Sequence, residues 1–183
     1  MIVLEQIERI ILPEAQWQEL LSHCKRKLAG DYLAGETQYP RAYGMIAGRQ
    51  EGPELQVNLI LPVKKNARRL EPFKSYMDKI LTEHAIPSTT PLSERAWITD
   101  PLELKECYDR CDNEDMIIVG TYHSHIVAWK HDAKRDTPTK LDTILAASSN
   151  FYQFIISMVD IDRPIIRAFF EGEKSKETPV IIR

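Results

Sequence analysis

A largely apolar run over residues 116–122, Met-Ile-Ile-Val-Gly-Thr-Tyr, leads directly into His123-Ser124-His125. A run this short and this rich in β-branched residues reads as a strand buried inside a sheet. Side chains two apart on a strand share a face. His123 and His125 therefore leave the strand on one side, at its end, and Ser124 leaves on the other. The chain has to build a sheet around this strand and place two imidazoles together at its mouth.

The flanking segments supply that sheet. Ile2, Leu4, Ile7, Ile10, Ile11 and Leu12 read as an opening strand that stops at Pro13. Trp17, Leu20, Leu21, Cys24 and Leu28 recur at helical spacing, between Pro13 and Gly30 as start and stop signals. Residues 42–48 and 55–61 read as strands joined at the Gly52-Pro53 turn signal. Gly44, inside the first of these, predicts close approach by another element. Phe73, Tyr76, Met77, Ile80 and Leu81 predict a helix, with Pro87 and Pro91 breaking any continuation. Residues 97–99 read as a short strand and 102–110 as a short helix. A polar loop spans 126–138, and residues 141–151 read as a helix with Leu141, Ile144, Leu145 and Ser148 on one face. Residues 154–159 and 165–170 read as strands, with 179–182 as a further edge strand. The expected fold is therefore α/β, a mixed and largely antiparallel sheet flanked by helices.

Size and charge narrow the function. The chain has 183 residues, 43% hydrophobic, which suits a single domain over 1–183. A formal net charge of -3 gives no basic footprint for nucleic acid. The opening residues do not resemble a signal peptide, and no segment approaches the about 20 apolar residues of a membrane span. A cytoplasmic location is expected. The three cysteines, Cys24, Cys107 and Cys111, are too few and too scattered for a disulfide framework, and reduced structural thiols are the expectation. Lys64, Lys65, Arg68 and Arg69 form a basic run, expected to be a solvated loop, with a docking patch for an acidic partner as the sharper alternative.

The chemistry converges on the His-Ser-His end. Two imidazoles on one strand face can occupy two corners of a tetrahedral Zn2+ site. A catalytic zinc needs a third protein ligand and keeps one position open. His131, Asp132, Asp136 and Asp142 are the downstream candidates. Asp142 stands out because Thr139 precedes it by one turn of the expected helix, in a Thr-x-x-Asp pattern that also reads as a capping box. A carboxylate in a capped first turn is held rigidly, with one oxygen left for a metal.

With these residues in place, the sequence resembles the JAMM/MPN family of zinc metallopeptidases, in the manner of a stand-alone prokaryotic member. Gly120-Thr121-Tyr122-His123-Ser124-His125 resembles the family's ligand strand. Tyr43-Gly44-Met45-Ile46-Ala47-Gly48 resembles its glycine-bounded strand, Trp97-Ile98-Thr99-Asp100-Pro101 a short strand before the motif, and Arg167-Ala168-Phe169 the late strand. The likeness covers roughly residues 5–182, with an insertion around 68–95. It implies the MPN architecture, similar to that of cytidine deaminases. It implies zinc held by His123, His125 and Asp142, with Thr139 standing in for the serine that steadies the oxyanion. The implied activity is that of an isopeptidase or peptidase cutting at the C-terminal tail of a ubiquitin-like or sulfur-carrier-like protein.

The chain departs from the family at two points. At the usual spacing Asp136 would be the third ligand and Ala133 would replace the serine. Asp142 is preferred because it keeps a hydroxyl residue and opens a periodic helix, the extra residues falling in the loop 126–137. The catalytic glutamate is expected three residues before Gly44, where Arg41 stands. A guanidinium cannot accept a proton. The nearest upstream carboxylate, Glu36, reaches the site as general base only if its loop folds back; otherwise it is a solvated loop residue. The alternative reading is therefore an MPN-type scaffold or binding module that is weakly active or inactive. The insertion at 68–95 is expected to cover the cleft.

Overall fold

The strand that ends in the histidines is central in space as well as in sequence. In the computed structural model, which describes residues 4–87, 90–127 and 136–183, β4 (Ile117–His125) lies between β2 (Tyr43–Glu51) and β5 (Tyr152–Ser157). β2 and β3 (Glu54–Pro62) form the expected hairpin around Gly52 and Pro53, with Gly52 at φ 61°. β1 (Arg9–Leu12) runs parallel to β3, and β6 (Ile165–Phe170) returns antiparallel beside β5. The eight-stranded order is β7-β6-β5-β4-β2-β3-β1-β8, with β7 (Glu177–Thr178) and β8 (Val180–Ile182) at its two ends. Only Pro179 separates these end strands in sequence. The sheet must therefore curl until its edges nearly meet, and its shape is close to a barrel.

Four α-helices accompany the sheet: α1 (Glu14–Leu28), α2 (Phe73–His84), α3 (Pro101–Asn113) and α4 (Lys140–Ala146). Trp17, Leu20, Leu21 and Cys24 of α1 join Ile10, Ile46, Leu55, Tyr122, Tyr152 and Phe154 in the larger hydrophobic cluster. Cys107 and Cys111 of α3 join Met45, Ala47, Leu61, Val63 and Ile118 in a smaller one. Consecutive residues of β2 thus alternate between two cores, as a sheet buried on both sides requires. The cysteines are free and buried, and burial pushes the Cys24 thiol up to about 12.

Gly44 shows why the β2–β4 contact tolerates no side chain. A Cβ there would stand 2.5 Å from the Leu61 carbonyl oxygen and 2.5 Å from the Tyr122 ring. The aromatic ring packs directly on the backbone of β2, the close approach that the sequence predicted.

Three expectations need correction. The opening strand is confined to Arg9–Leu12, with a 3-10 turn over Leu4–Gln6 before it. The last helix ends at Ala146 rather than near 151, because Ser148 and Asn150 take left-handed conformations with φ 59° and 56°. Those two turns bring the chain into β5 at Tyr152. The basic run is not uniformly solvated. Lys64 and Lys65 are exposed, but Arg68 is 1% exposed. Its guanidinium donates to the carbonyls of Leu92 and Arg95 and pairs with Asp78, binding the segment 68–95 to itself. Among the described residues, no helix is long and apolar enough to cross a membrane.

Candidate metal centre and its cleft

β2 and β4 position the site jointly. Tyr43 lies opposite His123 in the antiparallel ladder. One step further, the Ser124 N–H donates to the Ala42 carbonyl, and the Ala42 N–H donates to Ser124 Oγ at 2.8 Å. The polar residue between the histidines thus ties down the strand entry, and the histidines themselves face away from it. Their Nε2 atoms converge to 3.0 Å. Two imidazole nitrogens on one tetrahedral zinc, each at about 2.0–2.1 Å, stand roughly 3.3 Å apart. The pair is therefore preset close to a shared-ligand separation.

The two rings are not equivalent. His125 Nδ1 lies 3.1 Å from Asp136 Oδ1, and Asp136 is buried. A carboxylate there favours the tautomer in which His125 Nδ1–H donates to it, which puts the His125 lone pair on Nε2, facing His123. Burial is the main cause holding the pKa of His123 down at about 4. Asp142 opposes this, His125 and Arg41 add to it, and Asp136 opposes it more weakly. His123 is thus neutral at neutral pH, the state in which an imidazole can bind a metal.

Asp142 and Thr139 open α4 as a full capping box. The Thr139 N–H and Oγ1–H donate to Asp142 Oδ2 at 2.7 and 2.8 Å, and the Asp142 N–H donates back to Thr139 Oγ1 at 3.4 Å. The hydrogen bonds described for the carboxylate all fall on Oδ2, which leaves Oδ1 turned to other uses. The Thr139 proton is spent on Asp142, so donation to an oxyanion requires that bond to open. Both residues line the cleft that also holds His123 and His125. As placed, no three His, Cys, Asp or Glu among the described residues stand together at metal-binding distance. The donor chemistry fits zinc and the histidine pair is preset, but closing the set requires Asp142 to approach. His131, Asp132 and Ala133 lie outside the described residues.

The cleft is about 580 Å³. The segment 68–95, expected to cover the cleft, contributes Phe73, Tyr76, Met77 and Arg95 to its lining. Tyr43 and Trp97 stack at 5.4 Å with an interplanar angle of 14°, and Tyr39 leans on Trp97 at 6.2 Å. This aromatic wall was not legible as part of the site, because its residues come from β2, the loop before it and the segment 97–99, where the expected strand reduces to a single Thr99–Asn66 bridge. Asp136 as a support for His125 was equally hidden, since only the fold brings the pair into contact.

Glu36 is the clear departure from expectation. Its loop does fold back, but onto α1 and not to the histidines. Its carboxylate takes both Arg26 nitrogens at 2.6 and 3.0 Å and the Leu33 N–H at 2.8 Å, with Lys27 Nζ at 3.3 Å. Its Oε1 is 3.9 Å from His23 Nε2, and His23 Nδ1 bonds the Tyr122 hydroxyl at 2.7 Å. Tyr122 and His123 are neighbours on β4 and face opposite ways, so Glu36 sits behind the sheet. Burial pushes its carboxyl up, but Arg26, the Leu33 amide and Lys27 outweigh this and bring it down to about 2. A carboxylate so stabilised as the anion is a poor proton acceptor, and it is on the wrong side. Arg41 does line the cleft, as the sequence position required.

Among known proteins, no family model matches the chain and no curated protein matches it. The solved structures that it resembles include the solution structure of protein DSY2949 from Desulfitobacterium hafniense, with a TM-score of 0.61 at 20% identity, covering 95% of this chain and 92% of that one. This chain shares that protein's fold.

Proposed function

We propose that the cleft is a zinc centre of the JAMM/MPN type, belonging to a zinc-dependent peptidase or isopeptidase that acts at the C-terminal tail of a ubiquitin-like or sulfur-carrier-like protein. The observation that carries this reading is the convergence of His123 and His125 through Nε2 at 3.0 Å in a cleft that also holds Asp142. His123 and His125 would hold the ion with Asp142 Oδ1, and Asp136 would orient His125 from behind. Zinc in such a site polarises a scissile carbonyl as a Lewis acid. The aromatic wall and the insertion would shield a bound tail from water.

A second reading has its own support. Arg41 stands where the proton acceptor is expected, and Glu36 is held behind the sheet by Arg26 and Lys27. A module that holds zinc and a tail without cutting needs neither group. Both readings place zinc on the same ligands, and one experiment separates them. Zinc per chain is measured for the unmodified protein and for His123→Ala, Asp142→Ala and Asp136→Ala, beside cleavage of a ubiquitin fusion carrying a C-terminal reporter peptide. One zinc per chain is expected, abolished in His123→Ala and Asp142→Ala. Asp136→Ala should lose affinity by roughly 10–100-fold without losing the site. Zinc-dependent cleavage lost in His123→Ala establishes the peptidase, and zinc without cleavage establishes the module. A chain that binds no zinc sinks both, and loss in Asp136→Ala alone transfers the third ligand to Asp136.

A further inference from the structure

Arg41 has no counterpart in hydrolysis, and its surroundings give it another task. Just beyond the Tyr43–His123 pair, Ala42 is tied to Ser124 by one backbone bond and one bond to the serine hydroxyl. Arg41, the residue before Ala42, lines the cleft together with Tyr43, His123 and His125. Its guanidinium donates to the Tyr39 hydroxyl at 2.9 Å and lies over the Tyr39 ring at 5.8 Å. Among the described residues no carboxylate pairs with it. Elsewhere this chain pairs its buried cations closely: Lys27 meets Glu36, and Arg68 meets Asp78. A half-buried guanidinium oriented by an aromatic ring, with most of its donors unspent, is built to take a planar anion in two parallel hydrogen bonds.

The rest of the cleft indicates what carries that anion. The Trp97 indole Nε1 and Gln153 Oε1 are buried polar atoms without a hydrogen-bond partner, and both residues line the cleft. One is a donor and the other an acceptor, the complement of a peptide's carbonyl and N–H. Buried polar atoms left unmatched cost stability, and a peptide backbone that reaches them would offset that cost.

We propose that Arg41 recognises the free C-terminal carboxylate of a peptide, whose chain lies along the aromatic wall of the cleft. This rests on the reading of the cleft as a tail-binding site, but not on zinc. It makes the cleft a site for a tail that is already free, such as a released product or an unconjugated protein end. An internal bond would present Arg41 with no anion.

The test uses the full chain, 15N-labelled, in zinc-loaded and metal-free forms. N-acetyl-pentaalanine with a free carboxylate, the same peptide as its C-terminal amide, and N-acetylglycine are titrated in turn. Saturable shifts at Tyr43 and His125 are expected with the acid, at least tenfold tighter than with the amide. N-acetylglycine should bind more weakly than the peptide acid, because it lacks the chain. Arg41→Gln should erase the preference for acid over amide, and Arg41→Lys should keep part of it. Arg95→Gln, at the other cationic residue of the cleft, should leave it in place. Equal binding of acid and amide, no binding of the acid, an unchanged preference in Arg41→Gln or an equal loss in Arg95→Gln would overturn the assignment. Equal affinity for N-acetylglycine and the peptide acid would overturn the peptide as the carrier. Arg41-dependent binding by a chain that takes up no zinc keeps this inference and sinks the metal reading.

Discussion

Glu36→Gln should destabilise the protein by about 3–5 kcal/mol, the range for removing one partner from a buried ion pair. The glutamine can still accept from Arg26 or the Leu33 amide through its one carbonyl. It cannot neutralise Lys27, which is 1% exposed and otherwise donates only to the Thr37 carbonyl at 2.9 Å. A buried ammonium without its carboxylate carries the penalty. For a domain of this size each kcal/mol moves the midpoint by about 2–4 °C, so a fall on the order of 10 °C is expected in thermal unfolding. The same cluster gives the protein an acid limb. Burial lowers the His23 pKa to about 4, so unfolding takes up a proton there between about 6.5 and 4. Glu36, held down at about 2, does likewise between 4.5 and 2. In both windows the unfolded chain binds more protons, so stability falls as pH falls. Glu36→Gln should flatten the lower window and extend the His23 window to lower pH, because the Glu36 charge holds the His23 pKa up. A variant of full stability that loses zinc-dependent cleavage would instead make Glu36 the general base after all.

Why the sequence misplaced Glu36 is instructive. A carboxylate in a Gly- and Thr-rich loop has the local signature of a solvated residue, and nothing nearby announces its partners. Those partners lie on α1, where Arg26 and Lys27 read as an ordinary basic helix terminus. Local signals were reliable where the physics is local. The hairpin follows from its turn, the opening of α4 from Thr139 and Asp142, and the convergence of the histidines from strand alternation. They failed where a long-range partner decides the state of a residue. Arg68 is the same case: it looked like part of a solvated basic run and is buried. Strand neighbours were also beyond local reading, since β1 pairs parallel with both β3 and β8, which lie far away in sequence. The site shares this division. Its histidine pair is a local pattern, whereas its aromatic wall and the Asp136 support exist only once the sheet has formed.

Arg68→Ala should release the insertion without unfolding the sheet. The guanidinium donates to the Arg95 carbonyl at 3.1 Å, to that of Leu92 at 3.1 Å and to that of Lys74 at 3.4 Å, besides its pair with Asp78. These contacts span the start, middle and end of the segment, and they belong to one side chain. Removing it strips these three carbonyls of their donor and leaves Asp78 with Lys74 alone, a loss of about 3 kcal/mol at roughly 1 kcal/mol per lost hydrogen bond. α2 buries only Met77 and Leu81 of its own residues, so the segment has little else to hold it. The opening should be local, confined to this cooperative unit. Amide exchange across 70–95 should accelerate roughly 100-fold or more, at about 1.4 kcal/mol per factor of ten, while β2, β4 and β5 keep their protection. Asp78→Asn, at a half-exposed carboxylate, should have a much smaller effect. Zinc content should survive Arg68→Ala, because β4 and α4 carry the proposed ligands, whereas tail binding should weaken as Phe73, Tyr76 and Met77 leave the cleft. Faster exchange spread evenly over the sheet would mean that the insertion and the sheet fold as one unit, and unchanged exchange in α2 would mean that Arg68 is not its anchor.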